Sequence, residues 1–204
     1  MINNGNSYMV FNDFAELPQI PYKIVESLLL DNSQSAEDFW KLLKYVDVDA
    51  LDKPNLTYDE KLSMIWRGES LEQNYSVFFK PLVGSSLDDA RAQTQMRLFR
   101  YTTQPIEQFE AIICFEAEFI TNEKTALVYK DGILCERTDL LEVLYLNLMN
   151  GRDISVGSGI FTFNRKFSRS CNSQLNISNS KSFYGRSIVL AILFANGESG
   201  GLCG

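Results

Sequence analysis

The spacing of the apolar residues changes about a third of the way along the chain. Up to residue 72 they recur every three or four positions, which is the period of an amphipathic helix. From residue 73 onward most of them alternate with polar residues or form short continuous runs, which is typical of β-strands. This pattern predicts an α+β fold: an N-terminal helical segment followed by a mostly antiparallel β-sheet with one buried helix packed on it.

Three helices are predicted in the first part of the chain, over about 22–31, 36–46 and 58–67. Their apolar residues share one side of each helix and include Ile24, Leu28, Phe39, Trp40, Leu43, Val46, Leu62, Ile65 and Trp66. A hydroxyl that accepts an unpaired backbone N–H often marks a helix start. Two pairs fit this capping pattern: Ser35 with Asp38, and Thr57 with Glu60.

The second part of the chain contains the predicted strands. Residues 109–121 give the clearest pattern, because apolar residues alternate there with a mixed set that includes three glutamates. Asp131-Gly132 predicts a two-residue hairpin turn within 126–135, since both positions favour positive φ. The other predicted strands span 75–80, 95–101, 160–165 and 188–194. Helices are predicted at 86–92, capped by Ser86, and at 139–149, capped by Thr138 and buried on most faces.

The domain organisation follows from these elements. Residues 1–72 form the helical N-terminal segment, and residues 73–196 form the α+β core domain. A polar arm at 165–186 interrupts the core domain, because this stretch is rich in Ser and Asn and poor in apolar residues. Residues 197–204 are predicted to form a flexible, glycine-rich tail.

Histidine is absent from the 204 residues. Its absence excludes His-dependent catalytic triads and the zinc sites that need imidazole. The four cysteines stand at positions 114, 135, 171 and 203, so they contain no close pair of the kind that a four-cysteine zinc site uses. We therefore expect no metal, no cofactor and no catalytic residues.

Charge is divided unevenly along the chain, whose net charge is −7. Residues 1–72 carry 13 acidic and 6 basic side chains, whereas residues 151–204 carry 2 acidic and 6 basic ones. This division is typical either of docking between oppositely charged surfaces of neighbours or copies, or of solvated surface with no role, and it argues against general nucleic-acid binding. The chain has no run of 18 apolar residues and no signal-peptide pattern, so we expect it to stay in the cytoplasm where it is made, away from membranes.

Three glutamates form the first group of candidate functional residues. Glu110, Glu116 and Glu118 share the mixed face of the strand at 109–121. Paired carboxylates at this spacing could act as general acid and base in a hydrolase that needs no histidine. Alternating glutamates on a sheet are also typical of a solvated face or of a face between subunits.

A second group of candidates brackets the polar arm. Its members are all basic: Arg165, Lys166, Arg169, Lys181 and Arg186. They could belong to a solvated loop, dock on an acidic surface of a neighbouring subunit, or contact the phosphates of DNA. The sequence does not choose between these roles.

Five stretches within residues 75–195 carry a resemblance to a known family. They are YSVFFKPL from Tyr75, DARAQ from Asp89, MRLFRY from Met96, FEAIICFEAEFITN from Phe109, and the polar stretch GRDISVGSGIFTFNRKFSRSCNSQLNISNSKSFYGRSI from Gly151. Their layout resembles that of the head-to-tail connector proteins, also called neck or ring proteins, of tailed bacteriophages. It is most similar to the connector proteins of short-tailed, crAss-like phages.

The resemblance implies a structural virion protein rather than an enzyme. Subunits of this family form a ring, commonly of twelve copies, which lies below the portal and surrounds the channel for DNA ejection. The implied partners are further copies of the chain, the portal and other connector or tail proteins, with non-specific contact to packaged DNA. Two alternatives stay open: a soluble monomeric binding module, and a hydrolase that would lose its activity on Glu116→Gln.

Overall fold

The computed structural model describes residues 17–69, 75–80, 87–88, 90–107, 110–155, 160–163, 173–176 and 182–195. The described helices are α1 (Ile20–Leu29), α2 (Gln34–Lys44), α3 (Tyr58–Ser63) and α4 (Arg137–Met149). The described strands are β1 (Val77–Phe78), β2 (Thr94–Glu107), β3 (Glu110–Asn122), β4 (Leu127–Lys130), β5 (Ile133–Glu136), β6 (Ser173–Asn176) and β7 (Phe183–Ala195). The α+β prediction is confirmed.

Five strands form one sheet in the order β1-β2-β3-β7-β6, and β4 and β5 form a separate hairpin. β1 and β2 run parallel, whereas all other neighbours run antiparallel. β3 pairs along its length with β2 on one side and with β7 on the other, from Glu110 opposite Ala195 to Asn122 opposite Phe183. The strand with the clearest alternation is therefore the centre of the sheet.

The helices cover one face of this sheet. Their buried apolar side chains form one continuous cluster with those of β2, β3 and β7. The rings of Phe39 on α2 and Tyr145 on α4 both pack on the Phe119 ring of β3, with centroid distances of 6.1 and 5.6 Å. α4 packs on the sheet as predicted, but α1 and α2 also contact it. The helical segment thus shares its core with the sheet.

The starts of α2 and α3 test the capping rule. Thr57 and Glu60 form the predicted capping box: the Thr57 hydroxyl accepts from the Glu60 N–H, and Glu60 Oε2 accepts from the Thr57 N–H at 2.8 Å. α2 starts earlier than predicted, because the Ser33 hydroxyl accepts from the Ala36 N–H. The predicted Ser35 cap is therefore wrong, since Ser35 already lies inside the helix.

The predicted cap of α4 is also wrong. α4 begins at Arg137, so Thr138 is its second residue, and the Thr138 hydroxyl donates to Glu136 Oε1. The end of α4 is as predicted, with Asn150 as the C-cap and Gly151 following at a φ of 84°. Glycine suits that position because positive φ carries little steric cost without a Cβ.

α2 has the predicted length but lies two residues earlier along the chain, and α3 is shorter than the sequence predicted. α2 ends two residues before Val46, which is 40% exposed rather than on the buried side. α3 ends early because the following residues join the edge of the sheet: Ile65 bridges to Val77, and the Trp66 N–H donates to the Val77 carbonyl at 2.9 Å. Strand pairing here replaces the last predicted turn of helix.

The long strands extend beyond the apolar runs that predicted them. β2 continues to residue 107, and β7 starts at residue 183, because polar residues such as Tyr184 and Arg186 stay in register with β3. The hairpin of β4 and β5 is confirmed, with φ values of 53° at Asp131 and 76° at Gly132.

Some predictions lie wholly or partly outside the described residues: the helix at 86–92, the strand at 160–165, the polar arm at 165–186 and the tail at 197–204. Parts of these stretches are described, and residues 87–88 and 90–92 are not helical, so the predicted helix at 86–92 is wrong there. β6 lies within the arm and pairs with β7, so that part of the arm is a strand of the sheet. Thr162 pairs with Ala191 as an isolated bridge.

A fully buried arginine joins α4 to the end of α2. Arg137 has 0% exposure, and its guanidinium donates five hydrogen bonds to backbone carbonyls. The acceptors, at 2.6–3.3 Å, are the carbonyls of Leu42, Tyr45, Val46, Asp47 and Thr125. Burial lowers the pKa of Arg137 to about 10, so it stays charged at neutral pH. Arg137 thus donates hydrogen bonds to carbonyls at the end of α2, where no further turn of the helix supplies backbone N–H donors.

A buried ion pair joins α2 to α3. Lys61 Nζ lies 2.6 Å from Glu37 Oε1, and the two side chains are 3% and 9% exposed. Both residues would face water if the helices were isolated. Removing either partner would leave a buried charge uncompensated, so the pair fixes how these two helices pack.

β7 lies close to the backbone of β3 at Gly185. A Cβ on this residue would lie 2.2 Å from the carbonyl oxygen of Phe119 and 3.1 Å from the Phe119 carbonyl carbon. Real Cβ atoms do not approach backbone atoms so closely. Glycine is thus required here by the contact with β3, and not by a positive φ.

Candidate functional site

Arg186 is the one member of the predicted basic group that the structure describes; Arg165, Lys166, Arg169 and Lys181 lie outside the described residues. Arg186 lies on β7 and points toward the start of α4. Its Nε lies 2.7 Å from Asp139 Oδ1, and its Nη2 lies 4.0 Å from Glu136 Oε2. The side chain is 30% exposed, so part of it still reaches solvent. Its role in contacting DNA or a neighbour stays a prediction.

Carboxylates outnumber cations around Arg186. Glu136, Asp139 and Glu142 all interact with this one guanidinium. Burial first, and then the negative charges of Asp139 and Glu136, raise the pKa of Glu142 to about 7 against the opposing effect of Arg186. Burial also raises the pKa of Glu136. The start of α4 is therefore an acidic part of the surface.

The predicted glutamate pair lies on the sheet face opposite the helices. Glu118 stands opposite Arg97 of β2, with Oε2 3.9 Å from Nη1, and Glu116 accepts a hydrogen bond from the Ser187 side chain. The sequence did not indicate that this mixed face would be buried. Arg97 and Ser187 are each 3% exposed, and Gln95 beside them is 2% exposed.

Burial changes the acidity of this pair. Burial first, and then the negative charge of Glu116, raise the pKa of Glu118 to about 7 against the opposing effect of Arg97. Burial also raises the pKa of Glu116. A carboxyl that titrates near neutrality can serve as a general acid. Two open clefts on the surface are lined by other residues. One lies between Asp59 and Tyr75, and the other is lined by Leu17 and residues 100–103, so neither of these two includes Glu116 or Glu118.

The raised pKa of Glu118 predicts a stability that falls with rising pH. The folded state favours the protonated carboxyl, so its advantage is complete below the unfolded pKa near 4.5 and is lost as the pH rises through about 7. We expect Glu118 to contribute a loss of about 2–3 kcal/mol in the free energy of unfolding between pH 4.5 and 8. Urea unfolding of the wild type and Glu118→Gln at several pH values measures it.

The matched control for this experiment is Glu26→Gln, which replaces an exposed carboxylate on α1. The control should keep the pH dependence of the wild type, whereas Glu118→Gln should flatten it. Parallel curves for Glu118→Gln and the wild type would show that Glu118 titrates in the folded state as it does in the unfolded chain.

The outer face of the β4–β5 hairpin is apolar and exposed. Val128 points into the core with 0% exposure, which turns Leu127 and Tyr129 outward together with Leu134, the cross-strand neighbour of Tyr129. These three side chains are 47–48% exposed, and Ile133 at the turn is 67% exposed. We call Leu127, Tyr129 and Leu134 the hairpin face. A contiguous apolar group of this kind often marks an interaction surface.

The hairpin face was not among the sequence-predicted candidates. The sequence predicted the hairpin from its turn, but apolar residues occupy both faces of β4 and β5, so alternation alone did not say which face is covered. Only the packing of Val128 against the core decides it.

Comparison of the chain with protein-family models, curated proteins and solved structures gives no match. Within the described residues, no group of three His, Cys, Asp or Glu side chains is placed to hold a metal ion. Among the helices of the described ranges, none is long and apolar enough to span a membrane. What the chain does must therefore follow from its own surfaces and charges.

Proposed function

We propose that the chain is a structural virion protein of a tailed phage, one subunit of an oligomeric ring in the head–tail connector below the portal. The observation that carries the proposal is the presence of two complementary surfaces on one chain. One is the exposed, apolar hairpin face beside the acidic start of α4, and the other is predicted from the basic residues in the sequence of the polar arm at 165–186. The resemblance of residues 75–195 to connector proteins of crAss-like phages supports the same function.

Assembly is the proposed mechanism. A contact between two different surfaces of identical subunits is head-to-tail, and it closes into a ring when the rotation per subunit divides a full turn. The buried core, tied by Arg137 and by the Glu37–Lys61 pair, gives each subunit a fixed shape. A rigid subunit favours one rotation angle and so a closed ring rather than an open filament.

We consider two positions for the polar arm at 165–186 in such a ring. Facing the channel, its arginines and lysines would meet the phosphates of passing DNA. Facing a neighbour, they would meet carboxylates such as those at the start of α4. The acidic net charge of −7 favours the second position, because most of the remaining surface would repel DNA.

Quantitative mass spectrometry of purified tailed particles tests the proposed function. We expect the chain in the particles at a copy number equal to that of the portal or a simple multiple of it, with ring-shaped density below the portal by electron cryomicroscopy. The portal in the same particles is the internal standard. Particles that contain the portal and lack the chain would contradict the proposal.

A monomeric binding module and a carboxylate-dependent hydrolase remain the alternatives. The raised pKa of Glu118 is the observation in favour of the hydrolase. Against it, Glu118 faces a buried arginine. The structural role is therefore the stronger proposal.

A further inference from the structure

The hairpin face is left uncovered by its own chain. Leu127, Tyr129 and Leu134 keep nearly half of their surface exposed, and they lie side by side on two paired strands. On the inner edge of the hairpin, the Tyr129 N–H donates to the Val48 carbonyl at 2.8 Å, and Val48 is itself 42% exposed. The apolar surface thus continues from the hairpin onto the segment after α2.

The outer edge of the hairpin also has unused backbone groups. Tyr129 and Leu134 form a pair without mutual hydrogen bonds, as the outward bond from Tyr129 to Val48 shows. The N–H and carbonyl of Leu134 therefore point away from β4, and β5 pairs with β4 alone within the described part of the chain. An open edge beside an apolar face is the arrangement that accepts an added strand.

The charges around the hairpin face indicate which kind of protein segment can bind there. Residues 46–53 and 127–136 together carry five carboxylates, namely Asp47, Asp49, Asp52, Asp131 and Glu136, against Lys53 and Lys130. Lys53 is already paired with Asp47 and Asp49. Two hairpin faces placed against each other would bring these acidic borders together, so a symmetric contact between hairpins is disfavoured.

One stretch of the chain complements both the apolar face and its acidic border. Residues 164–172 contain Arg165, Lys166 and Arg169 around Phe167, with no acidic residue. In an extended segment residues i and i+2 share a face, so Arg165, Phe167 and Arg169 would present one aromatic ring between two cations. That sequence matches an apolar surface bordered by carboxylates.

We infer that the hairpin face binds residues 164–172 of a second copy of this chain, with Phe167 on Tyr129 and Leu134 and the arginines on the acidic border. The inference rests on the proposed ring, for which it names the two surfaces of the subunit contact. It also places the arm on a neighbouring subunit rather than on DNA.

Sedimentation velocity of the full chain over a range of concentrations tests this contact. Two variants each disable one side: Leu134→Lys on the hairpin face, and Arg165→Glu with Arg169→Glu on the arm. We expect each variant to weaken self-association at least tenfold. Leu30→Lys is the matched control, because Leu30 is a 65% exposed leucine on a different surface and should leave association unchanged.

Mixing the two variants gives the decisive measurement. Each variant keeps one intact surface, so an equimolar mixture should form a 1:1 heterodimer and nothing larger, although each variant alone is monomeric. A mixture that stays monomeric would overturn the inference, and so would a wild type that is monomeric at every concentration. Circular dichroism checks that the exposed substitutions leave the fold unchanged.

The failure of this inference is separable from the failure of the proposed function. If the wild type forms a closed oligomer that Leu134→Lys does not weaken, the ring uses other surfaces and only the present inference fails. If the chain is absent from particles that contain the portal, the proposed function fails whatever the sedimentation shows.

Discussion

Replacing Arg137 by methionine should lower the free energy of unfolding by about 4 kcal/mol or more. The change removes five hydrogen bonds at once. The Val46 and Asp47 carbonyls keep a second donor, from the Thr125 hydroxyl and the Ala50 N–H, but the carbonyls of Leu42, Tyr45 and Thr125 lose the donor that Arg137 supplies. Each unsatisfied buried polar group costs about 1–3 kcal/mol, and methionine cannot supply a donor. Since domains of this size are stable by about 5–15 kcal/mol, the variant is expected near the limit of folding.

Arg137→Lys separates the hydrogen bonds from the charge. Lysine keeps the positive charge but carries three donors on one nitrogen, so it can reach fewer of the five carbonyls. We expect an intermediate loss of stability, measured by urea unfolding with circular dichroism. Arg91→Met is the surface control, because the Arg91 side chain is 52% exposed, and it should change stability by less than about 0.5 kcal/mol. An Arg137→Met protein as stable as this control would show that the carbonyls find other donors.

Gly185→Ala should destabilise the protein by about 3 kcal/mol or more. A single added methyl group would meet the Phe119 carbonyl oxygen at 2.2 Å, and backbone atoms of a central strand cannot move aside as a flexible side chain can. β3 and β7 would have to separate where their hydrogen bonds are continuous on both sides. The expected result is a large drop in the urea midpoint.

Gly132→Ala is the matched comparison for Gly185→Ala. Gly132 has no atom within 4 Å of the added Cβ, so the substitution meets only the cost of its positive φ of 76°. That cost is about 1–2 kcal/mol. If the two alanine variants lose equal stability, the close contact at Gly185 relaxes without cost and its steric explanation is wrong.

The sequence predicted those elements whose signal is local. Alternation located β3, the Asp131-Gly132 pair located the hairpin turn, and the Thr57–Glu60 pair located the start of α3. Each of these signals lies within a few neighbouring residues. The start of α2 was predicted at the wrong serine, because the sequence pattern indicated Ser35, whereas Ser33 is the residue that caps the helix.

The features that the sequence missed depend on partners far along the chain. Four of the five acceptors of Arg137, at residues 42–47, lie 90–95 positions away along the chain, so nothing beside Arg137 in the sequence indicates that it is buried. The same holds for Lys61, since Glu37 is 24 positions distant. The exposed hairpin face is a further case, because only the packing of Val128 shows which side stays uncovered.

The position of β7 in the sheet has a consequence for synthesis. β3 is complete at residue 122, but the strand that covers its second edge begins only at residue 183. During translation the part from α1 to β3 can collapse early. One edge of β3 then keeps its backbone groups unpaired until β7 emerges. A chain truncated before residue 183 would hold that edge open permanently, and it should aggregate rather than fold into a smaller domain.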